Sequence, residues 1–498
     1  METNLARLAD AALDRFGDYR SLFIGGNWYT SAGLHARATR VGAGFAGAGV
    51  RPGDRVVVIM ANCPEVGIVY HALWRAGAVI TPVVFLVTPP ELRHIIDDSD
   101  AVAVVTTTEV APKVAAAQEG APHRVPVFVV GENFTELEAV EPGTIVDRSP
   151  DDLAALLYTG GTTGRSKGVA LSHANLSNAG ASSRSVSHVP GLLRGITALP
   201  LSHSFGLLVT VGGLHAPEPT ESVLQRWFEP TEFVRLAAEH RAQTTAVVPS
   251  MLAILLAQPL EDYDLSALEF VFSGAAPLSA AVAAEFERRV PSAKVLEGYG
   301  CTETGGIISS SPPRAPRRGT VGKAVPNVAV RIVGADGNDV PVGTDGEIVV
   351  RGPNVMAHYW RGEALPEGWF ATGDVGRLDA DGYLTIVDRI KDLILRGGFN
   401  VYPRDVEDAL MTHPAVAMAA VVGRPDERLG EEVVAFVALA DGGVTTSDEL
   451  ISYARERLGA HKYPREVHIV DAIPLTSVGK LDRKRLRANV ATPTEAPA

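Results

Sequence analysis

The sequence predicts an α/β protein with a large N-terminal domain of several sub-domains, built from layered sheets and helices, and a small α+β domain after it. Three observations point there. Helix-length and strand-length patterns alternate through the first third of the chain, as expected for layered, largely parallel sheets. The chain has 498 residues, more than one hydrophobic core ordinarily serves. Near residue 388 the texture changes, where VDRIKDLILRGGFNVYP runs from charged to Gly-rich to Pro-capped.

The opening METNLARLADAALDRFG reads as an amphipathic helix, without the continuous apolar core of a signal peptide. Leu34, Ala38, Val41 and Phe45 share one helical face, and Gly49 is a stop. Residues 55–60 read as a buried strand, 64–75 as a helix ended by Gly77, and 79–83 as another strand; the alternation continues through Thr107 and Val130. Gly42, Gly44 and Gly47 match G-x-G-x-x-G, but the dinucleotide fingerprint needs a strand before it and a helix after it. Here the glycines fall inside the helical pattern and the strand follows, so close helix packing is the reading. Beyond the change of texture, 403–411 reads as a helix, 415–422 and 433–439 as strands, and 447–458 as a helix, a unit of small-domain size. The predicted domains are 1–387 and 388–490, and the tail ATPTEAPA, 491–498, is predicted to be disordered. There is no internal repeat.

Composition narrows the function. A formal net charge of -13 argues against a nucleic-acid partner, whose phosphates need a basic surface, while leaving room for a locally positive site. Cys63 and Cys301 are too few and too far apart for a disulfide framework or a zinc knuckle, which favours a reducing compartment. The most apolar stretch, AGAVITPVVFLV at 76–87, is too short to span a bilayer and contains Pro82. A cytoplasmic protein with no transmembrane segment is predicted, and no sequence feature sets its oligomeric state.

The strongest chemical signal is YTGGTTGRSKG at 158–168. Four glycines and three threonines lie between an apolar strand at 153–157 and a further apolar stretch at 169–171. Glycine lets backbone N–H groups approach an anion closely, and Thr hydroxyls add donors. Lys167 adds a point charge, so Thr159, Gly160, Gly161, Thr162, Thr163, Gly164 and Lys167 read as a phosphate cradle. It is not the Walker loop, because the Gly-Lys-Ser/Thr ending is absent.

This loop resembles the signature of the adenylate-forming superfamily of acyl-CoA synthetases, aryl-CoA ligases, luciferases and carrier-loading adenylation domains, usually written Y/F-T-S/G-G-T-T-G-x-P-K-G. Ser166 stands for the usual proline and Gly160 for the commoner serine. Six further stretches resemble the family's motifs in order: PLSHSFG at 200–206, SGAAP at 273–277, GYGCTETG at 298–305, WFATGDVGRLDADGYL at 369–384, DRIKDLILRGGFNVYP at 388–403 and PLTSVGKLDRKRL at 474–486. The resemblance implies a mobile small domain and two half-reactions using ATP, Mg2+ and CoA. In the first, a carboxylate attacks the α-phosphorus of ATP; two anions repel, so cations, backbone donors and a metal must surround the phosphates.

The resemblance also implies roles. Glu303 would hold Mg2+, which takes one or two carboxylates plus phosphate oxygens. Ala275, Gly298, Tyr299, Gly300 and Thr302 would meet the nucleotide, with Tyr299 offering a face for adenine. Asp374 and Arg389 would bind the ribose hydroxyls, although Asp374 alone would read as an Asx-turn. Lys480 would bridge the acyl carboxylate and the α-phosphate, acting with Thr163, Glu303 and His203 in catalysis. A lone His is otherwise a structural residue, and a lysine near a chain end a solvated charge. Lys391 would be the hinge, and Gly397 and Gly398 would let a pantetheine arm approach while forming a hairpin turn. The acid would lie among His203, Phe205, Val248, Gly274, Ala275, Gly300 and Gly305. Ser204 and Phe205 stand where amino-acid-selecting relatives place an Asp, and no Arg or Lys lies in these segments to meet a second carboxylate. A medium-chain fatty or aromatic acid is expected, passed to CoA, or alternatively to a carrier-protein phosphopantetheine or an amine.

Overall fold

The structure is a computed structural model that describes residues 4–159, 165–440, 442–475 and 481–491. The chain divides into two compact units, Met1–Val330 with Val350–Phe370, and Arg331–Val349 with Ala371–Ala498. The junction expected near Asp388 falls inside the second unit, on the strand Leu384–Arg389. The tail 492–498 lies outside the described residues.

Among the described residues the first unit holds a six-stranded sheet in the order Val127–Val130, Ala101–Thr107, Arg55–Ile59, Val79–Pro82, Leu153–Thr159, Lys167–Ser172. The first five are parallel, and the last pairs antiparallel with Leu153–Thr159. Val56, Val57, Val58 and Ile59 are fully buried, which is why this strand reads as an unbroken apolar run and not as an alternation. The helix Pro64–Arg75 follows with Pro64 in its first turn, where the missing N–H has no partner to lose.

Gly42 and Gly44 lie on the buried side of the helix Ser31–Gly47. A Cβ at Gly44 would stand 2.3 Å from the carbonyl oxygen of Leu137, and one at Gly42 would stand 3.0 Å from that of Ala72. Two of the three glycines of the false fingerprint are thus contact points for neighbouring backbone; Gly47 meets nothing within 4 Å.

The second sheet of this unit has nine strands among the described residues, in the order Lys323–Ala324, Ser309–Ser310, Lys294–Tyr299, Phe270–Ser273, Thr244–Val247, Arg194–Thr197, Glu221–Leu224, Arg20–Ile24, Asn27–Thr30. From Lys294–Tyr299 to Arg20–Ile24 every pairing is parallel, and the edges are antiparallel. Val247, Val271, Leu252 and Phe286 lie in the core beneath it. Because the strands are parallel, the loops leaving their carboxyl ends gather along one edge, the place where open α/β sheets bind ligands.

Among the described residues the second unit holds a four-stranded sheet, Ala329–Val333, Gly346–Arg351, Phe370–Leu378, Leu384–Arg389. A five-stranded one is built on the hairpin Val416–Asp426 with Gly430–Leu439. Val421, Val433 and Val437 point to one core with Val406, Leu410 and Leu450, while Val422, Val434 and Phe436 point to another with Leu486. Burial on both faces explains the run VVAFVAL. Its helices among the described residues are Pro403–Met411, Ser447–Arg457 and Arg483–Ala491, the first as predicted from sequence.

Gly44→Ala should lower unfolding stability by about 1–3 kcal/mol, since the clash is with backbone and outweighs alanine's better helix propensity. Gly47→Ala in the same helix should be neutral or stabilising by up to about 1 kcal/mol. Urea unfolding of the two variants checks the pair.

Candidate active site

The parallel strands of the nine-stranded sheet deliver most of the expected acid and nucleotide positions. Val248 follows Thr244–Val247, Gly274 and Ala275 follow Phe270–Ser273, and Gly300 follows Lys294–Tyr299. Ser273 registers with Val247 on one side and Glu297 on the other, so these exits lie side by side. A Cβ on Gly274 would stand 3.2 Å from the Gly298 carbonyl oxygen and 3.6 Å from the Phe205 ring. Phe205 and Val248 pack on the rim of the apolar core below. Ala275 has φ of 70°, a left-handed conformation that costs a residue with a Cβ about 1–2 kcal/mol. Tyr299 is half-buried and registers with Ser309.

The strands on either side of the signature loop, Leu153–Thr159 and Lys167–Ser172, pair antiparallel. Thr159 registers with Lys167 across it, while Gly160, Gly161, Thr162, Thr163 and Gly164 lie outside the described residues. Its exit is held by the His94 Nε2 contact to the Ser166 carbonyl oxygen at 3.0 Å. Its entry is held by Tyr158, whose hydroxyl donates to Asp98 at 2.6 Å. Burial, then the Asp98 charge, pushes the Tyr158 phenol above its ordinary range. The motif's last glycine, Gly168, lies against Trp360: its carbonyl accepts from the Trp360 N–H at 2.7 Å, and a Cβ would stand 2.9 Å from that of Trp360.

Glu303 sits in the single 3-10 turn Thr302–Thr304, closed by Gly305 in the left-handed region. A Cβ on Gly300 would stand 2.4 Å from the Gly306 carbonyl oxygen, so the turn folds back on its own entry. Two residues that the sequence reading missed hold this turn. Buried Asn354 donates to the carbonyls of Thr304 and Ile307 at 2.9 and 2.7 Å. Tyr359 donates its hydroxyl to Glu303 Oε1 at 2.9 Å, and its ring centroid lies 5.8 Å from the Lys167 ammonium nitrogen. Burial first, then the Glu303 charge, raises the Tyr359 phenol above its ordinary range, so it stays a donor. Both come from GPNVMAHYW, where nothing in the local pattern separates them from an ordinary loop amide and a core aromatic.

His203 has a structural task in addition to the expected one. It is the N-cap of the helix Ser204–Leu214, and its Nδ1 accepts from the Phe205 N–H at 3.2 Å, which fixes the ring. A Cβ on Gly206 would stand 2.2 Å from the Pro200 carbonyl oxygen, which is why PLSHSFG ends in glycine.

In the second unit Asp374 and Arg389 register on adjacent antiparallel strands, with the Arg389 Nε–H donating to Asp374 Oδ1 at 3.1 Å. Asp374 is buried on a strand, not in an Asx-turn, and its own N–H is taken by the Thr372 hydroxyl at 3.2 Å. Lys391 is exposed in the short turn Ile390–Asp392. Its buried neighbour Asp392 pairs with Arg487 at 2.9 Å. Gly397 and Gly398, with φ of 57° and 84°, form the two-residue turn between Ile394–Arg396 and Phe399–Val401. Those angles suit a type I′ hairpin. A Cβ on Gly398 would meet nothing within 4 Å, so that side of the turn is open. Lys480 lies outside the described residues.

Among the described residues no three His, Cys, Asp or Glu side chains converge, so a metal caged entirely by protein has no site there. Glu303, with one oxygen taken by Tyr359 and the other left for a cation, suits Mg2+, which draws its remaining ligands from phosphate and water. Within the first unit Lys167 and Glu303 both lie by Tyr359, and within the second unit Asp374 pairs with Arg389.

The profile of the "AMP-binding enzyme" family matches residues 9–360, and that of the "AMP-binding enzyme C-terminal domain" matches 405–480. The chain belongs to the AMP-binding enzymes, as a member of their acyl-CoA synthetase and aryl-CoA ligase type. It is 36% identical to a feruloyl-CoA synthase of an Amycolatopsis species over 480 residues, 93% of this chain and 94% of that protein. It is 32% identical to a long-chain-fatty-acid–CoA ligase of Yersinia pestis over 538 residues, covering 97% and 94%. It is 33% identical over 480 residues to ScoC, a fatty acid–acyl-carrier-protein ligase of Streptomyces coeruleorubidus, covering 93% and 92%. Among solved structures it resembles ATP-bound MatB from Rhodopseudomonas palustris, with a TM-score of 0.89, 33% identity and 98% and 99% coverage. It also resembles the amide bond synthetase McbA from Marinactinospora thermotolerans, with a TM-score of 0.88, 30% identity and 97% and 99% coverage. No helix of the described residues is long and apolar enough to cross a membrane.

Asp374→Asn keeps the shape and removes the charge. ATP should bind about 10–100-fold more weakly, the loss of a charge-assisted hydrogen bond. Calorimetric titration with ATP checks this; an unchanged affinity would take Asp374 out of the nucleotide site.

Proposed function

We propose that this enzyme works in the cytoplasm on a largely apolar carboxylic acid, a medium-chain fatty acid or an aromatic acid, and transfers it to CoA. The observation that carries the reading is the character of the acid segments. Phe205 and Val248 lie on the rim of an apolar core beside Gly274. Apart from His203, residues 203–209, 247–251, 273–276 and 305–308 hold no charged side-chain type. A substrate ammonium or second carboxylate buried there would have no partner, which is costly. The aromatic and fatty acids named in two of the relatives support the same class.

In the first half-reaction a carboxylate oxygen of the acid attacks the α-phosphorus, and pyrophosphate leaves with the electron pair of the broken P–O bond. Lys167 and the loop before it would hold the departing phosphates. Bound at Glu303, Mg2+ would neutralise phosphate charge. Asp374 and Arg389 would orient the ribose, and Lys480 would lie between the acid and the α-phosphate. In the second, the CoA thiolate attacks the acyl carbon and AMP leaves. The small domain, residues 388–490 on this reading, would turn about Lys391 between the two, bringing Gly397 and Gly398 to the pantetheine.

Two experiments test the reading. The first is a pyrophosphate-release panel of acetate, malonate, hexanoate, octanoate, palmitate, benzoate, cinnamate and phenylalanine, with CoA as acceptor. Each methylene buried should add about 0.8 kcal/mol, roughly fourfold in affinity, until the pocket is full. Best turnover with malonate or phenylalanine would refute the apolar pocket. Pyrophosphate release without a CoA thioester would keep the pocket and move the acyl group to a carrier protein or an amine, the acceptor classes that ScoC and McbA represent. The second is Lys480→Ala, which should slow adenylation by about 10²–10³, or ~3–4 kcal/mol. Thioester formation from pre-made acyl-adenylate should be largely spared; an equal loss there would remove Lys480 from the first step.

A further inference from the structure

Lys167 and Glu303 carry opposite charges and touch the same side chain. The Tyr359 hydroxyl donates to Glu303 Oε1 at 2.9 Å, and the Tyr359 ring faces the Lys167 ammonium at 5.8 Å from its centroid. Among the described residues no ion pair within 4 Å joins Lys167 to Glu303 directly. Tyr359 itself is fixed from both sides. Its backbone bridges Val169 on the signature hairpin, and the next N–H, of Trp360, donates to Gly168 at 2.7 Å. Three residues upstream, the Met356 N–H donates to the Glu303 carbonyl at 2.8 Å. One short segment, 356–360, is therefore fastened both to the turn that carries Glu303 and to the strand that carries Lys167.

We infer that Tyr359 is a positioning residue of the phosphate site, which aims the Glu303 carboxylate at its cation and stands between that carboxylate and Lys167. Left to themselves, a lysine and a glutamate at one site would pair with each other, and each nucleotide would first have to separate them. A phenol avoids this: its O–H satisfies one carboxylate oxygen without adding charge, and its ring gives the ammonium a weak cation–π contact that a phosphate can displace. The inference rests on the reading of Glu303 as the Mg2+ carboxylate.

The test is Tyr359→Phe, which keeps the ring and its packing and removes only the hydroxyl. ATP binding to the full chain is followed by calorimetry, without metal and across a Mg2+ titration. The Mg2+ midpoint should rise about 10-fold or more, as for loss of a hydrogen bond to a metal-bound ligand. Metal-free ATP affinity and the thermal unfolding midpoint should stay near wild type. Glu303→Gln should raise the same midpoint, and adding Tyr359→Phe to it should change little, because the hydroxyl acts through the carboxylate. An unchanged Mg2+ midpoint in Tyr359→Phe, or a further full rise in the double variant, would overturn the inference. Equal weakening with and without metal would also overturn it, pointing to general damage. A wild-type chain whose ATP binding ignores Mg2+ would overturn the Glu303 reading as well, which separates the two failures.

Discussion

Sheets covered on both faces leave their chemistry to the ends of their strands. Val56 to Ile59 are fully buried, as are Val247 and Val271 in the larger sheet, so no polar group of substrate could be met on those faces without breaking the core. Parallel pairing then sends successive exits to one edge. That single constraint brings Val248, Gly274 and Gly300 together from positions far apart in sequence. It also explains why Val248, Gly274 and Gly300 directly follow strands, whereas Tyr299, Asp374 and Arg389 lie within theirs.

The second requirement is close approach of backbone. At Gly168, Gly206 and Gly300 a single added carbon would lie between 2.2 and 2.9 Å from a neighbouring atom. These glycines let the hairpin, the helix Ser204–Leu214 and the Glu303 turn press against their supports. The Glu303 turn is held by the Asn354 side chain, and Gly168 of the hairpin by the Trp360 backbone N–H. A preorganised electrostatic site needs this rigidity, because donors that must reorganise during reaction lose much of their effect.

Charge is the third. A protein with a net charge of -13 must still bring a carboxylate to a polyphosphate. Lys167 registers with Thr159 across its hairpin, and the Tyr359 hydroxyl donates to Glu303 while its ring centroid lies 5.8 Å from the Lys167 ammonium; in the second unit Arg389 pairs with Asp374. The Tyr359 contacts are made by a neutral group, whereas Arg389 and Asp374 form a direct ion pair.

Much of this was legible in the chain. Strand and helix periods follow from which faces are buried, so the helices Pro64–Arg75 and Pro403–Met411 and the run VVAFVAL could be read from spacing alone. The stretch 158–168 stood out in the sequence because anion binding by backbone would demand Gly, Thr and Lys in a short contiguous run. The reading of Gly42 and Gly44 as packing residues followed from their place inside a helical pattern, and their Cβ clashes with backbone bear it out, though not for Gly47. What the linear order could not carry were contacts between distant segments made by common residue types. Tyr359 on Glu303, Asn354 across the Thr302–Thr304 turn and Asp98, at the end of the helix Pro89–Asp98, under Tyr158 are ordinary side chains of common types. Their roles arise only where the folded chain sets one segment against another, because a hydrogen bond depends on distance in space and leaves no period in sequence.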